Sequence, residues 1–218
     1  MKREEREELL KQKLETMLAY ERVLWDKGIS YVAGVDEVGR GPLAGPVCAA
    51  CVVLPKSFDV IGVDDSKKLS EKRRAALYLK IIEQAAAYGI GLIDNERIDE
   101  TNILTATKEA MLIAIKGAQS MLGDRYDKAS IEHLLIDAVK LPEAGIPGTA
   151  IIKGDEKSVS VAAASIVAKV TRDRIMTEFD SIYPGYGFAS NKGYGTEAHY
   201  AGLRALGKTP IHRVTFLK

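Results

Sequence analysis

The 218-residue chain is poor in the residues from which redox and zinc centres are built, with two cysteines, three histidines and one tryptophan. Cys48 and Cys51 form a C-x-x-C, but a zinc site of that spacing needs a second ligand pair. His133, His199 and His212 stand far downstream and apart. Redox pairs of this spacing open a helix that lowers the thiol pKa. Here the pair lies inside VCAACVVL, an apolar run that reads as a buried strand. Residues three apart on a strand point to opposite faces, so a structural role is expected for both. Also missing is any run near the roughly 18–20 apolar residues of a membrane span. The opening MKREEREELL is too charged for a signal or transit peptide. The expectation is a soluble, cytoplasmic monomer with no membrane partner.

Net charge is nearly absent too, since 31 Lys and Arg offset 30 Asp and Glu to leave +1. That argues against a uniformly basic nucleic-acid coat but not against local patches. The distribution is uneven: residues 89–137 hold five basic and nine acidic side chains, residues 188–218 five against one. A neutral protein with one anion-binding face shows such asymmetry. The 46% hydrophobic content excludes wholesale disorder. A chain this long buries roughly 70% of its unfolded surface and needs neither metal nor disulfide to fold.

Residues 3–26 read as one amphipathic helix carrying Leu10, Leu14, Met17, Leu18 and Leu24, with Gly28 to end it. Tyr31–Val38 and Val47–Leu54 read as neighbouring strands split by the loop GRGPLAGP. Ser70 caps a helical stretch ending near Gly89, and Ile90–Ile93 is a short strand. Thr101 is expected to cap a long helix towards Met121. Leu134–Ile136 and Ala150–Ile152 are short strands leading to Asp137 and Asp155. Helices follow at Ser158–Ser181 and Thr196–Leu206, then the extended tail PIHRVTF. The pattern predicts one α/β domain over residues 1–218, a mixed sheet flanked by helices. Residues 1–28 form an N-terminal helical segment and 186–218 a helical C-terminal extension.

Two nucleotide motifs fail on context. GLRALGKT at 202–209 fits the P-loop spacing, but a helix-forming run precedes it where a strand is required, and Pro210 follows. The glycines of GVDEVGRGPLAG are one residue off the dinucleotide fingerprint, and Pro42 and Pro46 would break the helix that should hold a pyrophosphate.

The chemistry lies in carboxylates. Asp36 and Glu37 interrupt the apolar run YVAGVDEVG, Asp137 ends LLID, and Asp155 follows IIKG. Adjacent carboxylates buried in a strand cost several kcal/mol unless compensated. Acids brought together raise one another's pKa unless a hard dication neutralises them. An oxygen-only set favours Mg²⁺ or Mn²⁺ over zinc, and two such ions suit in-line phosphodiester hydrolysis. The competing reading is that these are cap and turn carboxylates of the kind any α/β protein has.

These strings also resemble a family. DEVGRGPLAGPV at 36–47, DDSKKLS at 64–70, LLIDAVKLP at 134–142, KGDEKSVSVAAASIVAKVTRDR at 153–174, NKGYGT at 191–196 and PIHRVTF at 210–216 look like ribonuclease HII, collinearly over residues 31–216. The resemblance implies an RNase H-like mixed five-stranded sheet flanked by helices. It implies cleavage of the RNA strand of RNA–DNA hybrids and incision 5′ of single ribonucleotides in duplex DNA, leaving 3′-hydroxyl and 5′-phosphate ends. Asp36, Glu37, Asp137 and Asp155 map onto the family's acidic residues holding two Mg²⁺ or Mn²⁺ ions, Asp36 bridging both. Gly39, Arg40 and Gly41 map onto the loop that contacts the ribose. Tyr194 maps onto the tyrosine that stacks on the adjoining deoxyribose. Ser66, Lys67 and Lys68 are expected to touch backbone phosphates, as are some of Lys169, Lys192 and Arg213. Asp173 is expected to pair with its flanking arginines, and Ala138 stands where many members have glycine. The alternatives are another RNase H-like nuclease, a non-catalytic hybrid-binding module and a dinucleotide-binding oxidoreductase.

Overall fold

The computed structural model describes residues 3–217. Five strands form one sheet in the order β3-β2-β1-β4-β5. They are β1 Val32–Val38, β2 Val47–Val53, β3 Ala87–Ile93, β4 His133–Asp137 and β5 Gly148–Ile151. β1, β2 and β3 pair antiparallel, while β4 and β5 add in parallel. Among the helices are α1 Arg3–Met17, α2 Ala19–Trp25, α3 Glu71–Gln84, α4 Asn95–Glu100 and α5 Ile103–Arg125. Beyond β4 come α6 Gly154–Lys157, α7 Val159–Ile182, α8 Phe188–Asn191 and α9 Glu197–Leu206. No described helix is long and apolar enough to cross a membrane.

Alternation along the strands divides the core. Cys48, Ala50 and Val52 face α7 and α3, while Ala49, Cys51 and Val53 face α5. The two cysteines thus lie on opposite faces, both fully buried and unpaired, and burial pushes the Cys48 thiol up to about 12. Both long helices bury alanines in these clusters, Ala162, Ala163 and Ala164 in α7 and Ala106, Ala110 and Ala114 in α5.

Four sequence expectations shift. The N-terminal helix bends at Leu18 into α1 and α2. Leu14, Met17 and Leu18 pack with α3 and α7, whereas Leu24 packs with Val32, Leu135 and Ile151, and the two halves serve different clusters. The helix after Ser70 stops at Gln84, because Gly89 belongs to β3. A Cβ there would stand 2.1 Å from the Ala114 carbonyl oxygen, so glycine sets how closely α5 lies on the sheet. Asn102, not Thr101, caps α5, its Oδ1 accepting the Thr105 amide at 2.9 Å; Thr101 ends the short α4. Asp155 sits in α6 rather than at a strand end.

Candidate active site

The parallel register β1–β4 pairs Val35 with Ile136, so Asp36 and Asp137 emerge side by side at the carboxyl ends of adjacent strands. Ligands of α/β sheets gather at such ends. β4–β5 pairing then sets Asp137 beside Ile151, and the chain leaves β5 through Lys153 into α6. The Gly154 amide, at the start of α6, donates to Asp137 Oδ1 at 2.7 Å, which brings the next residue, Asp155, to the cluster. The turns on either side are tight: Ala138 and Lys153 both adopt left-handed backbone, at φ +49° and +56°. Each such non-glycine residue costs on the order of 1 kcal/mol.

The four predicted acids thus share one neighbourhood, in which Asp137 repels Asp36, Glu37 and Asp155. Asp36 is 4% exposed, and burial, then the charges of Glu37 and Asp137, hold its carboxyl well above the usual range, against a hydrogen bond from Ser165. Burial also raises Glu37, opposed by Arg40, whose Nη1 lies 3.2 Å from Glu37 Oε1. Glu37 Oε2 is buried without a hydrogen-bond partner. Asp155 is raised by burial and by Asp65 and Asp137, with Lys67 Nζ 3.8 Å from its Oδ2. The set consists of oxygen donors, crowded and disfavoured as anions, with one acceptor atom unused. That chemistry fits a hard divalent cation. Among the described residues, no three His, Cys, Asp or Glu side chains are grouped closely enough to hold one metal ion between them.

Beside the acids, the Gly39–Gly41 loop is held from below by two guanidiniums. Arg213, fully buried, donates Nη2 to the carbonyls of Gly39 (2.7 Å) and Gly45 (2.8 Å), Nε to Gly45 (3.0 Å) and Nη1 to Arg40 (3.0 Å). Arg172, also fully buried, donates to the carbonyls of Pro46, Ala44 and Lys192. Their partners are neutral carbonyls, so burial lowers both, Arg213 to about 9. Gly39 has φ +90°, and a Cβ on it would lie 2.1 Å from Arg172 Nε. A Cβ on Gly41 would instead meet only Tyr194 Cε1, at 3.6 Å. The loop and the 43%-exposed Tyr194 thus share one open surface. Backbone bonds join them, Leu43 to Gly193 and Arg213 to Leu43, both 2.8 Å.

The basic residues divide. Lys67 and Lys68 stand exposed at the rim, Lys68 Nζ 3.1 Å from Glu156 Oε1. Ser66 does not present its hydroxyl to solvent: it is 3% exposed and bonds Ser165 Oγ at 3.0 Å, behind Asp36. Arg213 is likewise no surface phosphate contact. Lys169 is paired with Asp173 at 2.8 Å, and the other partner of Asp173 is Arg74, not the arginines beside it in sequence. Those flanking arginines point elsewhere, Arg172 into the loop and Arg174 over the Tyr78 ring.

Sequence reasoning missed the cradling role of Arg172 and Arg213, the acid Asp65 and the buried Glu21. Nothing in the strings around the first pair, AKVTRDR and PIHRVTF, signals that role. Glu21 accepts from Ser158 Oγ (2.6 Å) and the Ser160 amide (2.9 Å), binding α2 to the start of α7.

The family model described as Ribonuclease HII matches residues 33–218. A curated Ribonuclease HII from Lachnoclostridium phytofermentans is 56% identical over 188 residues, covering 86% of this chain and 70% of its own length. The crystal structure of ribonuclease H2 from Pyrococcus horikoshii superposes with TM-score 0.68 at 30% identity, covering 85% of this chain and 93% of that one. An Archaeoglobus fulgidus RNase HII, solved in complex with PCNA, gives TM-score 0.66 at 26% identity, covering 85% and 93%.

Proposed function

Because the chain belongs to the ribonuclease HII family, and so to the ribonuclease H hydrolases that act on RNA–DNA hybrids, we propose that it also incises duplex DNA 5′ of single embedded ribonucleotides. The products would be 3′-hydroxyl and 5′-phosphate ends, and the chemistry two-metal-ion hydrolysis. The observation that carries this reading is the β1–β4 register, which delivers Asp36 and Asp137 together at the sheet's carboxyl end.

Asp36, Glu37, Asp137 and Asp155 would hold Mg²⁺ or Mn²⁺. When bound, the ions supply an activated water and charge stabilisation at the leaving 3′ oxygen. The chain's own residues do the rest. Ser165 and the Glu37 amide fix the Asp36 carboxylate, the amide donating at 2.8 Å. Gly39, Arg40 and Gly41 offer backbone without side-chain obstruction at Gly41, which suits close approach to a ribose 2′-hydroxyl, the atom that separates RNA from DNA. Tyr194 presents an aromatic face to the neighbouring sugar. Lys67 and Lys68 position the backbone by charge, without reading sequence.

A duplex with one ribonucleotide, incubated with and without Mg²⁺, tests this. A Mg²⁺-dependent nick 5′ of the ribonucleotide is expected. Cleavage of long hybrids alone would remove the single-ribonucleotide activity, and equal cutting of all-DNA duplexes would favour another RNase H-like nuclease.

A further inference from the structure

Behind the Tyr194 loop lies a histidine pair that the nuclease chemistry leaves unused. His199 in α9 and His212 in the tail face each other Nε2 to Nε2 at 2.9 Å, 0% and 1% exposed. Two imidazole nitrogens at that distance need one donor and one acceptor, and the outer bonds decide which is which. The Thr209 amide lies 2.8 Å from His212 Nδ1 and can only donate, so His212 carries its proton on Nε2. That N–H donates to His199 Nε2, which leaves the His199 proton on Nδ1. From there it donates to the Tyr194 carbonyl oxygen at 3.0 Å. The Thr196 amide donates to the same oxygen at 2.8 Å, so both of its lone pairs are used. A single polarised line of bonds runs from Thr209 to Tyr194.

Resting on the assignment of Tyr194 to the substrate surface, we propose that His199 is a positioning residue, with His212 fixing its tautomer. The Nδ1–H bond holds the Tyr194 peptide so that its ring stays beside Gly41, and thereby sets discrimination at the junction between ribonucleotide and deoxyribonucleotide.

The surroundings keep both rings neutral. The Tyr186 and Phe188 rings pack on both imidazoles at 5.1–6.3 Å, and the Tyr186 hydroxyl is committed to the Gly207 carbonyl. Arg213 follows His212 in the chain, and Arg172 of α7 binds the Lys192 carbonyl of the same loop; the charge that acts on His212 is that of His199. On α4, Asn95 binds the His212 carbonyl, and Asp99 is taken by Val214 and Thr215. On α9, Glu197 and Arg204 pair with each other. Burial lowers both imidazoles, His212 to about 4. A proton on either ring would set N–H against N–H and break the line.

His199→Asn places an amide nitrogen near the site of Nδ1, while His199→Gln places one near Nε2. The readout is the ratio of kcat/KM on a single-ribonucleotide duplex to that on a long RNA–DNA hybrid, in Mg²⁺. His199→Gln is expected to lower the ratio about 10-fold, mostly through KM, and His199→Asn to restore it to within about threefold, as for loss and recovery of one buried hydrogen bond. Equal ratios for the two variants would overturn the proposal. Tyr194→Ala, run alongside, separates the two readings. An unchanged ratio there removes the Tyr194 assignment and the relay's role with it, whereas a lowered ratio with an unaffected His199→Gln removes the relay alone. Imidazole ¹⁵N spectra of the unmodified protein, which need no variant to fold, should show one Nδ1–H and one Nε2–H tautomer. Two alike would also overturn it.

Discussion

Arg213 Nη2 bonds the Gly39 carbonyl at 2.7 Å across 174 positions of sequence. The first residue of the glycine loop is thus fixed by a cation from the chain's last segment.

Removing that cation leaves the carbonyls of Gly39, Arg40 and Gly45 without their donor. Arg213→Ala should therefore lose roughly 3 kcal/mol of stability in urea titrations, an order set by unpaired buried acceptors. Arg213→Lys keeps a charge but not the fork, and should fall between the two. An Ala variant as stable as the parent would show that the loop does not depend on this cradle.

The glycines of the loop should separate stability from activity. Gly39→Ala meets both a φ of +90° and Arg172 Nε at 2.1 Å, and should cost about 2 kcal/mol or more. Gly41→Ala meets only ordinary contact with Tyr194, so stability should move by less than about 0.5 kcal/mol while single-ribonucleotide incision falls. Denaturation midpoints and nicking rates of both variants check this; equal stability losses would refute it.

Asp36→Asn should abolish metal-dependent cleavage while hybrid binding largely survives. In metal-free protein its Tm should rise, because a buried carboxylate crowded by Glu37 and Asp137 is replaced by a neutral amide. Mg²⁺ should raise the Tm of the parent more than that of the variant. Unchanged turnover would sink the two-metal reading.

Much of this was legible in the sequence. Asp36 and Glu37 stood out because carboxylates inside an apolar strand demand compensation, and the structure sets them in one neighbourhood with Asp137 and Asp155. What local pattern could not show was long-range partnering. Ser66 reads like its neighbours Lys67 and Lys68, yet a single turn of 3₁₀ helix at Ser66–Lys68 leaves its side chain buried and theirs exposed. Gly89 reads as a helix stop because terminators and close-packing glycines are the same residue. Arg213 reads as a phosphate ligand because a buried arginine bound by carbonyls alone leaves no local signature.

Glu21 offers a test outside the region that matches the family model. Its carboxylate ties α2 to Ser158 and Ser160, and Glu21→Ala should cost about 2 kcal/mol, with Glu21→Gln less severe. Urea unfolding of both variants measures it; an unaffected midpoint would mean that α2 contributes nothing to holding α7.

The stability of the fold should also respond to His212. Its pKa falls from 6.5 unfolded to about 4 folded, so between those values the unfolded chain binds the extra proton. This stabilisation is complete above pH 6.5 and is lost as pH falls towards 4, at up to about 1.4 kcal/mol per pH unit. Carboxylates with raised pKa slope the other way, so the comparison is between parent and His212→Asn, whose pH dependence should be the flatter on the acid side. Parallel curves would contradict the assignment.

The bonds from Arg213 to Gly39, Arg40 and Gly45 also order events in time. A chain emerging from the ribosome exposes the strands bearing Asp36 and Asp137 long before residue 213, and domains begin to fold from the N-terminal side. The strands bearing these two acids can pair before residue 213 is made, whereas the Gly39–Gly41 loop waits for its brace. A product cut short before residue 213 would carry the carboxylates without the guanidinium that fixes the Gly39–Gly41 loop beside them.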